Sequence, residues 1–177
     1  RTTVAKSGGR SSPGGRCTSS ARRRASGVWA PTKLPVAAAC ICAPHALAGF
    51  GEGVLALGQP DGAPLRIVTF SYSRSVLGIL ERIARRRPVH AACSEGRPAL
   101  EGRRMAERLA AAGVEVTFFT DAAIAQALDA SVQVLVGADA LPPDWSLTKS
   151  GTRMPAAAAV QQAVPVYVAA SRDKVVD

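Results

Sequence analysis

From Leu65 onward the chain alternates between short apolar runs and segments with a three-to-four residue apolar period. Leu65–Phe70 reads as a strand buried on both faces, with Arg66 the one charged interruption. It empties into Ser71, Tyr72 and Ser73, where a helix begins at about Arg74. That helix runs to about Arg87, carries Val76, Leu77, Leu80, Ile83 and Ala84 on one face, and stops at Pro88. Strands follow at Val89–Cys93, Val114–Phe119, Val132–Val136 and Val164–Ala169. Between them lie helices at about Leu100–Ala112, Asp121–Leu128 and Thr152–Ala163. Gly113 ends the first of these helices and Asp121 caps the second. Repeated strand–helix alternation with near-continuously apolar strands predicts an α/β fold, a parallel sheet with helices on both faces.

Such sheets bind ligands beyond the carboxyl ends of their strands, where the strand order reverses. Polar residues collect at those ends: Ser71–Ser75, then Glu95, Arg97 and Glu101, then Thr120 and Asp121, and finally Gly137, Asp139, Lys149 and Thr152. If the strands at 65–70 and 132–136 are neighbours, Ser71 and Asp139 face each other across the reversal. The first amides of the helix after Ser73 lack internal partners and sit at its positive end, which favours an anion such as phosphate. Gly137 and Ala138 lack bulk, so a ligand can approach the backbone there, and Asp139 can then serve as acid or base or merely cap a turn. Lys149 with Gly151 and Thr152 has the form of a second anion site, or of a solvated lysine beside an ordinary helix cap. Arg97, held extended before Pro98, can position a sugar hydroxyl with Glu95 and Glu101, or form a surface ion pair. No dinucleotide-binding glycine fingerprint follows a strand, and no P-loop is present.

The stretch before this pattern is different. Residues 1–33 are rich in Arg, Ser, Gly and Thr without an apolar period, and 34–60 are apolar but broken by Pro35, Pro44, Pro60 and several glycines. Residues 1–59 therefore read as a basic, low-complexity to apolar extension, poorly ordered and looped, with at most a short strand or helix near Val54–Leu57. The domain proper is expected over 60–177. Arg-rich and acid-free, the beginning also has the composition of a transit peptide or of misassigned sequence. No stretch supplies the about 20 uninterrupted apolar residues of a membrane span.

Charge sharpens this division. The formal charge of the 177-residue chain is +9, yet residues 1–51 hold eight Lys and Arg and no acid, leaving fourteen basic and thirteen acidic groups beyond them. The high charge is thus a property of the tail, and direct nucleic-acid binding by the domain is not expected. Cys17, Cys40, Cys42 and Cys93 fit no disulfide framework, which points to a reducing compartment such as the cytoplasm. Cys40, Cys42 and His45 lack a fourth ligand at metal-binding spacing, so no metal and no cofactor are expected.

Taken together, IVTFSYSRSVLGIL, SEGRPALEGRRMAERLAAAGVEVT, DAAI and VGADALPPDWSLTKSGT resemble the family of initiation factor 2B alpha, beta and delta subunits. Methylthioribose-1-phosphate isomerase and ribose-1,5-bisphosphate isomerase belong to the same family. The resemblance runs from about Pro60 to Lys174 and rests on four motifs in order. It implies a Rossmann-like domain that binds a phosphorylated pentose or nucleotide, commonly as a homodimer or with a related family subunit.

In the isomerases a Cys after the first strand and an Asp in the GAD motif carry the aldose–ketose interconversion. Here the Asp is Asp139 and the Cys position is Ser71, whose hydroxyl lacks a ready thiolate. The family's Asn-Lys pair reads Thr148-Lys149. FSYSRSVL is nearer the regulatory alpha subunit's pattern than the isomerases', and residues 1–59 do not read as the family's helical N-terminal domain.

The resemblance therefore implies ligand binding with little or no turnover. Ser71, Ser73 and Arg74 would lie near the ligand, Glu95, Arg97 and Gly137 beside it, Asp139 on its hydroxyls, and Lys149 with Thr152 on phosphate. The alternatives are an active pentose 1-phosphate isomerase in which Asp139 shuttles the proton, and a translation-factor regulatory subunit acting through its surface.

Overall fold

The computed structural model describes residues 36–42 as backbone, and residues 49, 51–55, 62–141 and 148–175 in full. Six parallel strands form one sheet: β1 (Val36–Cys42), β2 (Leu65–Thr69), β3 (Val89–Ser94), β4 (Glu115–Phe119), β5 (Val132–Gly137) and β6 (Val166–Ser171). Their spatial order is β1-β6-β5-β2-β3-β4. Helices α1 (Arg74–Ala84), α2 (Glu101–Ala111) and α3 (Arg153–Gln161) connect strands, and 3₁₀ segments occupy Asp121–Ala127 and Arg172–Lys174. From β2 the chain builds outward through β3 to β4, and then returns to the other side of β2 to lay down β5 and β6. The order therefore reverses between β2 and β5, which pair in register from Arg66 opposite Val132 to Val68 opposite Val134.

Burial explains why these segments are strands. Alternate residues of β2 feed two separate cores: Leu65 and Ile67 pack with α1 and α2 through Val76, Ile79, Leu80, Ile83, Met105 and Leu109. Val68 and Phe70 pack on the opposite face with Val134, Val136, Ile124 and Ala159. Both faces of a central strand are thus removed from water, and only an apolar run satisfies that. β4 lies at the sheet edge, and its residues are partly or largely exposed, with Phe118 45% accessible.

Three expectations are adjusted. The helix after β2 ends at Ala84 rather than Arg87, with Arg85 as its cap. The segment after β4 is a 3₁₀ helix, and β6 extends two residues past Ala169 to Ser171. The largest difference falls in the stretch expected to be looped. Val36–Cys42 is a sheet strand paired with β6 from Val36 opposite Val166 to Cys42 opposite Ser171. Residues 51–55 are helical, close to the short element expected near Val54–Leu57, with Leu55 1% exposed in the core. VAAACIC holds three alanines, two cysteines and only two β-branched residues, so its strand character comes from its partner rather than from propensity. Residues 1–35, the His45 position and the side chains of Cys40 and Cys42 lie outside what is described. Among the described residues no helix is long and apolar enough to cross a membrane, and no group of three potential ligands could hold a metal.

Two measurements test this packing. A Cβ on Gly102 would lie 1.7 Å from the Ser94 carbonyl oxygen, whereas one on Gly78 meets nothing within 4 Å. Gly102→Ala should lower stability by about 3 kcal/mol in urea unfolding as α2 is forced off β3, while Gly78→Ala should raise it by about 0.5–1 kcal/mol. Burial pushes the Cys93 thiol up to about 12, so almost no thiolate forms at pH 8. Iodoacetamide at that pH should leave Cys93 unmodified in the native protein and alkylate it in urea, as read by peptide mass spectrometry.

Candidate functional site

The reversal of strand order opens a cleft of about 740 Å³ at the carboxyl ends of the strands. One wall is the turn after β2 and the first turn of α1, through Tyr72, Ser73, Arg74 and Ser75. Facing it are Gly137, Ala138 and Asp139 after β5. Ser171 to Lys174, after β6, close a third side, while Glu101 and Lys149 stand at the remaining edge. The turns after β2 and β5 do oppose each other, but it is Ser73 and Arg74, and not the expected Ser71, that share the cleft with Asp139.

Ser73 is the N-cap of α1: its backbone is extended, and its Oγ accepts from the Val76 N–H at 3.4 Å. The first intrahelical bond is Leu77 N–H to Ser73 O at 2.9 Å, so the amides of Arg74 and Ser75 precede the helical ladder at the cleft wall. The opposing turn comes so close that a Cβ on Gly137 would lie 2.3 Å from Ser73 Oγ. Glycine is the residue type that this crossing admits. Leu141 then ties the loop down, with its N–H donating to Lys174 O at 2.7 Å in a parallel bridge to Val175. The Asp139 loop and the Arg172–Lys174 segment are thereby held side by side.

Ser71 is not among the residues lining the cleft. It lies beneath, 3% exposed, with a left-handed backbone at φ 59° that is uncommon for a residue bearing a Cβ. Gly96 packs directly over it, with the site of a Cβ 3.0 Å from Ser71 Oγ. The Ser71 hydroxyl donates to Glu101 Oε2 at 3.3 Å, and the same oxygen is 3.0 Å from Lys149 Nζ. A hydroxyl, a carboxylate and an ammonium thus run in line from the buried turn to the cleft edge. The Lys149 ammonium holds the Glu101 carboxyl below the usual range, with help from the Ser71 hydroxyl and the Arg104 charge. In turn Glu101 raises Lys149 above an ordinary lysine, and the Asp139 charge adds to that. Asp173 is lowered chiefly by the Ser171 hydroxyl, then by the Lys174 and Arg74 charges.

Of the residues singled out in the sequence, Ser73, Arg74, Gly137, Asp139 and Lys149 line the cleft together. Glu95, Arg97 and Thr152 do not. Glu95 accepts from Arg97 Nε at 3.1 Å, and the Arg97 side chain is 69% exposed, which is the surface ion pair. The loop that carries them is pinned by Asp121, whose two carboxylate oxygens accept the Gly96 and Arg97 amides at 2.8 Å each. Thr152 is buried at the start of α3 and makes no side-chain cap bond.

The sequence reading placed Tyr72 in the polar turn at the strand end without giving it a ligand role, and it passed over Ser171, Arg172, Asp173 and Lys174 as cleft residues. A signal for the last four was present: they follow a strand, and the rule that placed Asp139 applies equally to them. For Tyr72 the signal is weaker, since its ring also packs on the core and carries the Arg104 guanidinium 5.0 Å from its centroid.

Residues 61–177 match the Initiation factor 2 subunit family, IF-2B. An eIF-2B subunit 2-like protein of Pyrococcus furiosus is 34% identical over 110 residues, which make up 61% of this chain and 40% of that protein. The translation initiation factor eIF2B subunit beta of Dictyostelium discoideum is 33% identical over 103 residues, 58% of this chain and 26% of that one. Among solved structures, translation initiation factor eIF-2B of Pyrococcus horikoshii OT3 aligns with a TM-score of 0.67 at 30% identity, covering 75% of this chain and 47% of the other. The matched part of this chain therefore spans less than half the length of each relative. The four ordered motifs, the strand order and the family match agree, and the chain belongs to the initiation factor 2B alpha, beta and delta subunit family.

Proposed function

We propose that the chain binds a phosphorylated pentose or a nucleotide in the cleft between β2 and β5, with little or no turnover. The observation that carries this reading is the pairing, within one cleft, of the α1 N-terminal turn and Arg74 with the carboxylate of Asp139. Phosphate suits the first, because unpartnered amides and a positive helix end favour an anion. Sugar hydroxyls suit the second as hydrogen-bond donors to a carboxylate. Gly137 lets the ligand lie against the backbone between them. Lys149, Arg172 and Lys174 add cations around the rim.

Low turnover follows from the chemistry of Ser71. Its acceptor, Glu101, is held ionised by Lys149 and is too weak a base to take a proton from a serine hydroxyl. The isomerase alternative has one observation in its favour, namely that Asp139 faces the cleft where it could move a proton on bound sugar. The relatives' descriptions as initiation factor subunits support a third reading, a regulatory subunit that acts through its surface with a second copy or a related family subunit.

A thermal-shift screen of ribose 1,5-bisphosphate, methylthioribose 1-phosphate, AMP and inorganic phosphate, followed by turnover assays, separates these readings. Selective stabilisation without product is expected, amounting to about 2.7 kcal/mol at a ligand concentration one hundred times Kd. Product that disappears in Asp139→Asn would establish the isomerase instead, and no shift by any sugar phosphate would leave the surface-acting subunit. Lys149→Met should weaken phosphate-ester binding while changing stability by less than about 1 kcal/mol, since an ion pair with both members about two-fifths exposed contributes little to folding.

A further inference from the structure

The cations of the cleft do not face a ligand alone. Arg74, Lys149, Arg172 and Lys174 share the cleft with Glu101, Asp139 and Asp173. The best-defined of these oppositions is Lys149 with Glu101 at 3.0 Å, between a residue that precedes α3 and the first residue of α2. Both side chains are substantially accessible, at 43% and 39%, so the pair is open to exchange with a solute. Oε2 of Glu101 is also fixed from behind by the buried Ser71 hydroxyl at 3.3 Å, which turns the carboxylate toward Lys149.

We infer that Glu101 is a built-in counter-anion, an internal competitor for Lys149 that a bound phosphate must displace or share. The consequence is a cleft tuned to weak, readily reversible anion binding. A carboxylate 3 Å from an ammonium cancels most of the field that the ammonium would offer an incoming anion, and it repels that anion besides. The Arg104 charge acts on the Glu101 carboxyl, and the Asp139 charge, in the same cleft, acts on the Lys149 ammonium beside Glu101. A site of this kind responds to changes in ligand concentration instead of staying saturated, which suits a sensing subunit.

This inference rests on the anion-binding reading of the cleft, and it makes a prediction of opposite sign to a structural role. Glu101→Gln keeps size and hydrogen bonding but removes the competing charge. Calorimetric titration with inorganic phosphate at fixed ionic strength should show binding about five- to tenfold tighter than wild type. If Glu101 only braced the fold, the same change would weaken binding or leave it unaltered. The gain should vanish when Lys149→Met is present in both backgrounds, since the competition acts through Lys149.

Unchanged or weaker phosphate binding by folded E101Q, or an equal gain without Lys149, would overturn the inference. If E101Q does not fold, Glu101→Asp tests the same pair, because the shorter side chain draws the charge back from Lys149. A smaller gain is then expected, and none would be fatal to the inference. Binding of a phosphorylated pentose by wild type with no gain in either variant would overturn the counter-anion alone. Absence of all phosphate and phosphate-ester binding in wild type and E101Q would overturn the proposed function with it.

Discussion

The rest of the molecule depends on the pairing of β2 with β5. Two strands that lie far apart in sequence are brought side by side, and the chain leaves them in opposite lateral directions. The turns at their carboxyl ends are consequently not bridged by a helix passing between them, and a cleft stays open there. Close approach is the condition for that pairing to reach its end. Ser73 must cap α1 at the point where the β5 turn passes, and the 2.3 Å left for any Cβ at position 137 means that only glycine allows both. The same absence of a side chain that closes the sheet exposes backbone to a ligand.

Around that crossing, polar loops are fixed by bonds to backbone amides. Asp121 accepts two successive amides from the loop after β3, and Leu141 bonds the segment after β6. These ties let the loops present charge at the rim while the sheet beneath buries apolar residues on both faces. A bidentate carboxylate on main-chain donors is strong because the acceptor is charged and both bonds share one rigid group. These ties, with Leu141 buried against Ala170 and Ala138, hold the loops in place so that Asp139 and Asp173 share one cleft.

How much of this could be read in the sequence varies by element. The strands β2, β3, β5 and β6 announced themselves as apolar runs between turn residues, because burial leaves little room for polar alternation, and the exposed edge strand β4 did so through its β-branched and aromatic residues. Their carboxyl ends offered a wider set, of which Ser73, Arg74, Gly137, Asp139 and Lys149 line the cleft while Ser71, Glu95, Arg97 and Thr152 do not. β1 was not legible, since an alanine-rich run between two prolines has little intrinsic preference and becomes a strand only when β6 offers a partner. Residues 171–174 were missed because β6 was ended two residues early. Glu95 and Arg97 lie at the correct end of β3, but Asp121 turns their loop so that they pair with each other. The Glu101–Lys149 contact joins residues 48 positions apart through a tertiary arrangement, and no local pattern encodes it.

The contact also gives the Ser71 position its chemical meaning. A thiol set against the Glu101 carboxylate would have its ionisation opposed by a like charge at hydrogen-bond distance, so a reactive thiolate would fit poorly above this glutamate. A serine hydroxyl has no such conflict: it remains protonated near neutral pH and donates its hydrogen to the carboxylate. Ser71 and Glu101 are therefore mutually consistent, and a nucleophile-plus-base arrangement is inconsistent with either of them, because Lys149 keeps the carboxylate a poor proton acceptor. The buried hydroxyl beneath the cleft and the cation at its rim are thus both already committed to one carboxylate.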